Sequence, residues 1–119
     1  MAPARANIAA ALRVAAVCAL MMGALEIRGG HLALAAPTTH TVVMEGLAVA
    51  PATLTVAKGD TVVWVNKDPF PHTATAQDKS FDSKEIAAGK SWRFTPKKSG
   101  TFPYVCTLHP TMKGTLVVK

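Results

Sequence analysis

Short apolar runs, rich in valine, threonine and aromatic residues, recur along the chain from Thr39 onward and are separated by Gly, Pro, Asp and Lys. Apolar residues never keep a 3.6-residue period long enough for a major helix, so the pattern predicts an all-β domain. Seven short strands in one small domain favour a two-sheet sandwich. The predicted strands are Thr39–Glu45, Thr53–Ala57, Thr61–Asn66, His72–Ala76, Ser91–Thr95, Gly100–Cys106 and Gly114–Lys119.

The predicted strand Gly100–Cys106 has an alternating pattern that indicates which side chains face the core. Successive side chains point to opposite faces of a strand, so Tyr104 and Cys106 share one face and the cysteine sulfur points inward. Pro103 has no N–H for a ladder hydrogen bond, and we therefore expect an edge or a bulge at that position. Both tryptophans of the chain are predicted to be core or half-buried residues.

The first 35 residues have the build of a cleaved secretory signal peptide. Arg5 and Arg13 precede an apolar run over Val14–Leu25, and no acidic residue occurs before Glu26. A small-x-small pattern at Ala-Leu-Ala predicts cleavage after Ala35, which leaves residues 36–119 as one domain. The alternative is an uncleaved anchor, but twelve apolar residues fall short of the roughly 20 that span a bilayer.

The predicted mature domain has a modest positive charge and one thiol. Residues 36–119 contain ten Lys/Arg, six Asp/Glu and a single cysteine, Cys106. Exported domains of this size often contain disulfides, but a lone cysteine is either a buried inert thiol or a metal or redox residue. The lysines are dispersed, which argues against nucleic-acid binding. They either steer an acidic partner or form an ordinary solvated surface.

The stretch YVCTLHPTMKG carries the candidate chemistry. Cys106, His109 and Met112 follow one another at intervals of three residues, so the end of an inward-facing strand and its turn present a thiol, an imidazole and a thioether. His72, which follows a Pro-rich loop at a predicted strand start, is the expected fourth donor. A thiolate, two imidazoles and a weak axial thioether are the ligand set of electron-transfer copper sites.

Other chemistries fit these residues less well. A c-type haem requires C-x-x-C-H, whereas His109 follows Leu108 and has only Cys106 near it in the sequence. Structural zinc could occupy the site, but it typically uses several Cys or His ligands and gives the methionine no role. A cysteine nucleophile requires a base and an orienting Asn or Asp, and the neighbouring sequence supplies no orienting residue. His40 lies outside both motifs and is expected to be solvated.

Two long segments resemble the small blue-copper proteins, or cupredoxins, and within them the amicyanin and plastocyanin branch. VAKGDTVVWVNKDPFPHTATA is similar to the family's segment from a Gly-Asp turn to the first ligand histidine, and AGKSWRFTPKKSGTFPYVCTLHPTMKGTLVV is similar to its closing segment. The short Cys-x-x-His-Pro-x-Met loop is amicyanin-like. The resemblance covers about the whole predicted domain and implies a Greek-key β-sandwich of about seven or eight strands. It also implies one copper ion with four ligands: His72, Cys106, His109 and Met112.

The resemblance extends to residues around the predicted ligands. Thr73 stands where the family often has an asparagine that ties the ligand loop to the neighbouring strand, and hydrogen bonds of this kind hold ligand orientation. We expect a bond between Thr73 and Thr107 to replace it, the alternative being an ordinary strand threonine. An apolar partner surface is expected around the second histidine, unless these residues simply cap the sandwich: Phe70, Pro71, Leu108, Pro110 and Thr111.

The sequence therefore predicts an exported, periplasmic electron carrier that cycles one copper ion between Cu(II) and Cu(I) without substrate chemistry. The expected partners are a redox donor and a redox acceptor, such as a dehydrogenase, a cytochrome or an oxidase. We expect a monomer that has no stable membrane insertion after cleavage and binds no nucleic acid. A copper chaperone or storage module with the same ligands is the alternative. A third hypothesis is a β-sandwich that binds a partner protein and contains no metal.

Overall fold

The computed structural model describes residues 36–119, and the predicted signal peptide at residues 1–35 lies outside the described residues. Within residues 36–119, no helix is long and apolar enough to cross a membrane. The described chain contains eight strands: β1 (Thr39–Glu45), β2 (Ala48–Ala50), β3 (Thr53–Val56), β4 (Thr61–Asn66), β5 (Thr75–Ala76), β6 (Ser91–Phe94), β7 (Gly100–Cys106) and β8 (His109–Val118).

The strands form two four-stranded sheets, with the orders β2-β1-β4-β6 and β3-β8-β7-β5. β1 is parallel to β4, and β3 is parallel to β8, whereas the other neighbours are antiparallel. Parallel neighbours cannot be joined by a tight hairpin. The chain crosses from one sheet to the other after each of the strands β2, β3, β4, β5 and β6. The predicted all-β sandwich is confirmed.

Two strands differ from the sequence prediction in the first half of the domain. The pattern does not predict β2, a three-residue strand whose position depends on antiparallel pairing with β1. The strand predicted at His72–Ala76 is reduced to β5, because His72 instead forms an isolated bridge with Ile86. Five predicted strands, those matching β1, β3, β4, β6 and β7, agree with the structure to within one residue.

The last strand, β8, begins at His109 and not at Gly114 as the sequence predicted. β7 pairs regularly with β8 as far as Val105, and Cys106 then pairs with His109 across a two-residue turn. Residues 110–112 therefore bulge out of the ladder. The residues predicted to form a turn after the strand are instead divided between a two-residue turn and the start of β8, so the sheet sets their position.

Pro103 lies where β7 becomes an edge of the sheet. β5 pairs only with Tyr104 and Val105, and the Pro103 carbonyl accepts the N–H of Gln77 at 2.9 Å just beyond the end of β5. The proline nitrogen points to the same side as its carbonyl, so its missing N–H leaves no ladder partner unsatisfied. Of the two expected explanations, the edge applies at Pro103, and the bulge lies after Val105.

An aromatic cluster fills the core between the sheets. Trp64 is fully buried, and its ring centroid lies 5.5 Å from half-buried Trp92 and 5.6 Å from Tyr104, which it meets edge-on. The predicted burial of both tryptophans is confirmed. Tyr104 also covers Gly114 on β8, where an added Cβ would overlap the tyrosine hydroxyl and ring. Tyr104 and Cys106 are both buried, as the alternation predicts.

His40 is half-buried and paired, which corrects the expectation that it is solvated. Its Nε2 lies 2.9 Å from Oδ2 of Asp60. The same carboxylate accepts the backbone N–H groups of Thr38 at 3.0 Å and Ala57 at 3.1 Å. Hydrogen bonds from Thr38, His40 and Ala57 lower the pKa of Asp60 from 3.8 to about 2.

Asp60 is expected to make the domain sensitive to acid. A carboxylate with a lowered folded-state pKa contributes stability above its unfolded pKa, and that stability is lost as the pH falls through the folded value, here about 2. We expect Asp60→Asn to be less stable than wild type at neutral pH and to lose less stability between about pH 5 and pH 2. Urea unfolding across this range tests the expectation, with exposed Glu85→Gln as control. Parallel pH profiles of wild type and Asp60→Asn would contradict it.

Candidate metal centre

Three side chains with metal-binding atoms meet at one end of the sandwich. Cys106 ends β7, and His109 begins β8 after the turn at residues 107–108. His72 lies between β4 and β5, where reciprocal backbone hydrogen bonds of 3.1 Å and 2.7 Å join it to Ile86. The tip of the β7–β8 hairpin and the β4–β5 connection therefore converge on one point.

The metal-binding atoms of His72, Cys106 and His109 all lie within 4.8 Å of one another. Sγ of Cys106 is 3.7 Å from Nδ1 of each histidine. His72 and Cys106 are buried, with exposed fractions of 0% and 1%, whereas His109 is half-buried. The structure thus brings three of the four predicted ligands together and leaves one imidazole reachable from solvent.

Met112, the fourth predicted ligand, is buried on β8. It belongs to the segment that bulges out of the β7–β8 ladder, three residues after His109. Met112, Gly114 and Leu116 alternate with more exposed residues and so face the interior of the sandwich. Its assignment as a ligand stays a prediction.

The Cys106 sulfur is held by the neighbouring β4–β5 connection. It accepts the backbone N–H of Thr73 at 3.3 Å. The Thr73 hydroxyl lies 3.2 Å from the Thr107 hydroxyl and accepts the Thr107 N–H at 2.9 Å. The structure therefore contains the Thr73–Thr107 link expected from the sequence, and it joins the residues that directly follow His72 and Cys106. That these threonines orient the ligands remains a prediction.

Asp68 and Asn66 anchor His72, and the sequence reasoning missed both. Oδ2 of Asp68 lies 2.7 Å from Nε2 of His72. Asn66 donates from its amide to the carbonyls of Phe70 and Ile86 at 2.8 Å and 2.9 Å, and its oxygen accepts the Asp68 N–H at 2.9 Å. The hydrogen bond from His72, followed by one from a backbone N–H, holds the pKa of Asp68 below its usual range. Asp68 lies four residues before His72 in the sequence, and this spacing could have indicated it as a hydrogen-bond partner of the histidine.

Exposed apolar side chains surround the half-buried histidine. The Phe70 ring centroid lies 5.4 Å from that of His109 and 5.3 Å from that of His72. Phe70 and Leu108 are 37% and 44% exposed, and the other predicted surface residues, Pro71, Pro110 and Thr111, are exposed as well. Leu47, whose N–H donates to Asp68, is a further exposed apolar residue that the sequence reasoning missed. The structure shows an accessible apolar surface here, and its use by a partner remains a prediction.

The donor set fits a copper ion. A thiolate and two imidazoles suit copper, with a thioether as a weak further ligand. Burial of Cys106 and His72 excludes water from one side of the centre. The N–H of Thr73 donates to the sulfur, and a metal-bound thiolate can keep this hydrogen bond because it is still an acceptor. Zinc accepts the same nitrogen and sulfur donors, but it gives no reason for a methionine three residues after the second histidine.

Comparison with known proteins places this chain in a family. A protein-family model for the cupredoxin-like domain matches residues 12–118. The chain belongs to this family. It is 28% identical to amicyanin of Paracoccus versutus over 71 residues, which are 56% of the chain and 54% of the amicyanin. It is also 33% identical to plastocyanin of Scenedesmus fuscus over 86 residues, which are 61% of the chain and 88% of the plastocyanin.

Solved cupredoxin structures are similar to the described fold. A Cu(I) structure of an amicyanin mutant aligns with a TM-score of 0.64 at 27% identity, covering 68% of this chain and 82% of the amicyanin. A copper-containing nitrite reductase from Thermus scotoductus also aligns with a TM-score of 0.64, at 32% identity, over 71% of this chain and 22% of the reductase. This chain spans about half the length of the amicyanins it matches in sequence.

Proposed function

We propose that this cupredoxin is an electron carrier that binds one copper ion through His72, Cys106, His109 and Met112. The observation that carries the proposal is the buried Cys106 sulfur 3.7 Å from Nδ1 of two histidines. Copper bound there would take up and release one electron. Similarity to amicyanin and plastocyanin supports this function.

The chain's own residues would keep one ligand arrangement in both redox states. His72 is fixed by Asp68 and by its backbone bonds to Ile86. Cys106 is fixed by the sheet and by the Thr73 N–H. A centre held this firmly has little to rearrange when the charge of the ion changes. The Thr73–Thr107 link would keep the two ligand segments in register.

Electrons would enter and leave through His109. This imidazole is half-buried, unlike the other two clustered donors, and Phe70, Pro71, Leu108, Pro110 and Thr111 would form the docking surface around it. Contiguous exposed apolar patches are typical of partner sites. The partners would be a redox donor and a redox acceptor, such as a dehydrogenase, a cytochrome or an oxidase. This chain would bind each of them as a monomer.

We further propose that the chain is exported to the periplasm and that residues 1–35 are removed, leaving residues 36–119 as the working domain. The apolar run after two arginines supports this reading. Mass spectrometry of the protein recovered from the periplasm tests it, since cleavage after Ala35 predicts Ala36 as the N-terminus. Full-length protein in the membrane fraction would support the anchor instead.

A chaperone or storage protein with the same ligands would handle copper differently from a carrier. A carrier retains its ion while it cycles between oxidation states, and it performs no substrate chemistry. We therefore expect the copper content to stay at one per chain through repeated reduction and reoxidation in the presence of a competing Cu(I) chelator. Transfer of the ion to the chelator upon reduction would favour the chaperone.

Met112 is expected to tune the centre more than it holds the ion. An axial thioether is a weak ligand, and an amide oxygen is a harder donor that favours Cu(II). Met112→Gln should keep copper and have a lower reduction potential, by about 59 mV for each tenfold gain in preference for Cu(II). Met112→Leu, which supplies no donor, should shift the potential upward. Voltammetry of the three proteins tests this, and equal potentials or complete loss of copper would show another role for Met112.

A further inference from the structure

The turn between β1 and β2 has an unusual backbone. Gly46 and Leu47 both have positive φ values, 64° and 57°, as in the two-residue hairpin turns that favour glycine or asparagine. A leucine is strained in this left-handed region, because its Cβ lies too close to the backbone. Leu47 is also 46% exposed, so burial of its side chain does not explain the choice of residue.

Both turn residues donate to the carboxylate that contacts His72. Gly46 N–H donates to Oδ1 of Asp68 at 2.8 Å, and Leu47 N–H donates to Oδ2 at 3.2 Å. Oδ2 is the atom that lies 2.7 Å from Nε2 of His72. One carboxylate oxygen is therefore shared by an exposed turn and a buried imidazole.

This arrangement determines which nitrogen of His72 carries the proton. An ionised carboxylate can only accept hydrogen bonds, so Nε2 must be the donor to Asp68. In the neutral ring Nδ1 then keeps its lone pair, and Nδ1 is the atom that lies 3.7 Å from Sγ of Cys106. The carboxylate thus leaves the nitrogen nearest to the thiol free to bind a metal.

We propose that Asp68 is a positioning residue that couples the Gly46–Leu47 turn to the tautomer and orientation of His72. The turn holds the carboxylate, and the carboxylate holds the ring. Leu47 is the surface end of this connection, so a change in the turn alters the metal centre without touching a ligand. An effect of this coupling on electron transfer rests on the proposed function. The hydrogen bonds that form the coupling are present without metal.

The Asp68 carboxylate is not needed to hold the backbone of the β4–β5 connection. Asn66 already fixes the loop through bonds to the carbonyls of Phe70 and Ile86 and to the Asp68 N–H. The Asp68 side chain adds only the bonds to the turn and to the imidazole. A merely structural role would leave the His72 tautomer unchanged when the carboxylate is removed.

Ring-nitrogen NMR of metal-free protein, at a pH where His72 is neutral, tests the tautomer. In wild type we expect the Nε2–H form alone. Asp68→Ala should populate the Nδ1–H form, Asp68→Asn should largely restore Nε2–H because its amide oxygen can still accept, and Asp78→Ala serves as the control. A wild-type Nδ1–H tautomer, or an unchanged Nε2–H tautomer in Asp68→Ala, would overturn the proposal.

An insertion in the turn tests the coupling. Two glycines between Gly46 and Leu47 should displace the donors and shift the His72 ring signals toward those of Asp68→Ala, whereas the same insertion between Lys58 and Gly59 should not. Near-UV circular dichroism checks that each variant folds. Unchanged His72 signals in a folded variant with the longer Gly46–Leu47 turn would contradict the coupling.

Copper loading separates this inference from the proposed function. Asp68→Ala loaded with Cu(II) should keep the ion but show a shifted visible band and altered paramagnetic-resonance parameters. If wild type has no such band, the proposed function fails and the metal-free NMR result still decides the role of Asp68. If the band exists and is identical in Asp68→Ala, the positioning role is wrong and the carrier proposal stands.

Discussion

Replacing Cys106 with serine is expected to abolish the thiolate-to-Cu(II) absorption band of the copper-loaded protein completely. Sulfur is the source of this band, and Cys106 is the single cysteine of residues 36–119. A serine hydroxyl stays protonated at neutral pH and is a harder donor than a thiolate. The wild-type protein should contain one copper per chain and absorb near the red end of the visible spectrum. Absorbance, paramagnetic resonance and copper analysis of both proteins measure the difference.

The chain has a matched control for this substitution. Cys18 is the other cysteine and lies in the predicted signal peptide, so Cys18→Ser in the full-length chain should leave the band unchanged. His40→Gln is a second control, because His40 pairs with Asp60 away from the cluster. An unchanged band in Cys106→Ser would refute the assignment of this cysteine as a copper ligand.

Gly114→Ala is expected to destabilise the domain by about 1–3 kcal/mol, the usual cost of overfilling a packed core. Gly114 lies opposite Tyr104 in the β7–β8 ladder, and a Cβ there would overlap the hydroxyl and ring of that tyrosine. Tyr104 cannot yield easily, since its ring packs edge-on against fully buried Trp64. For a domain of this size each kcal/mol corresponds to roughly 4–8 °C in Tm.

Thermal and urea unfolding of the metal-free protein measure this effect without a contribution from metal binding. Lys113→Ala is the appropriate control, because Lys113 is the exposed neighbour of Gly114 on the same strand and its truncation leaves the core intact. We expect the free energy of unfolding of Lys113→Ala to lie within about 0.5 kcal/mol of the wild-type value. A stability of Gly114→Ala equal to that of Lys113→Ala would show that Tyr104 moves aside freely.

The sequence alone predicted most strands and the thiol-imidazole cluster, because both signals are local. Alternation along one strand places Tyr104 and Cys106 on the inward face. Cys106 and His109 are three residues apart, so one hairpin tip is enough to bring them together. The choice of His72 as the distant donor came from its motif, and the structure places its Nδ1 3.7 Å from the sulfur. The strand β2 has no comparable pattern, since its three residues are held by their partner strand.

The surroundings of the cluster were decided by tertiary structure. Asp68 contacts Gly46 and Leu47, 22 and 21 positions away, and His40 contacts Asp60 across 20 positions. These pairs meet because β1 lies parallel to β4 and because the β1–β2 turn folds against the start of the β4–β5 connection. A periodic pattern reports which face of a strand is buried, but it carries no information about which distant strand becomes its neighbour. Hydrogen bonds that cross between neighbours therefore appear only once the sheets are assembled.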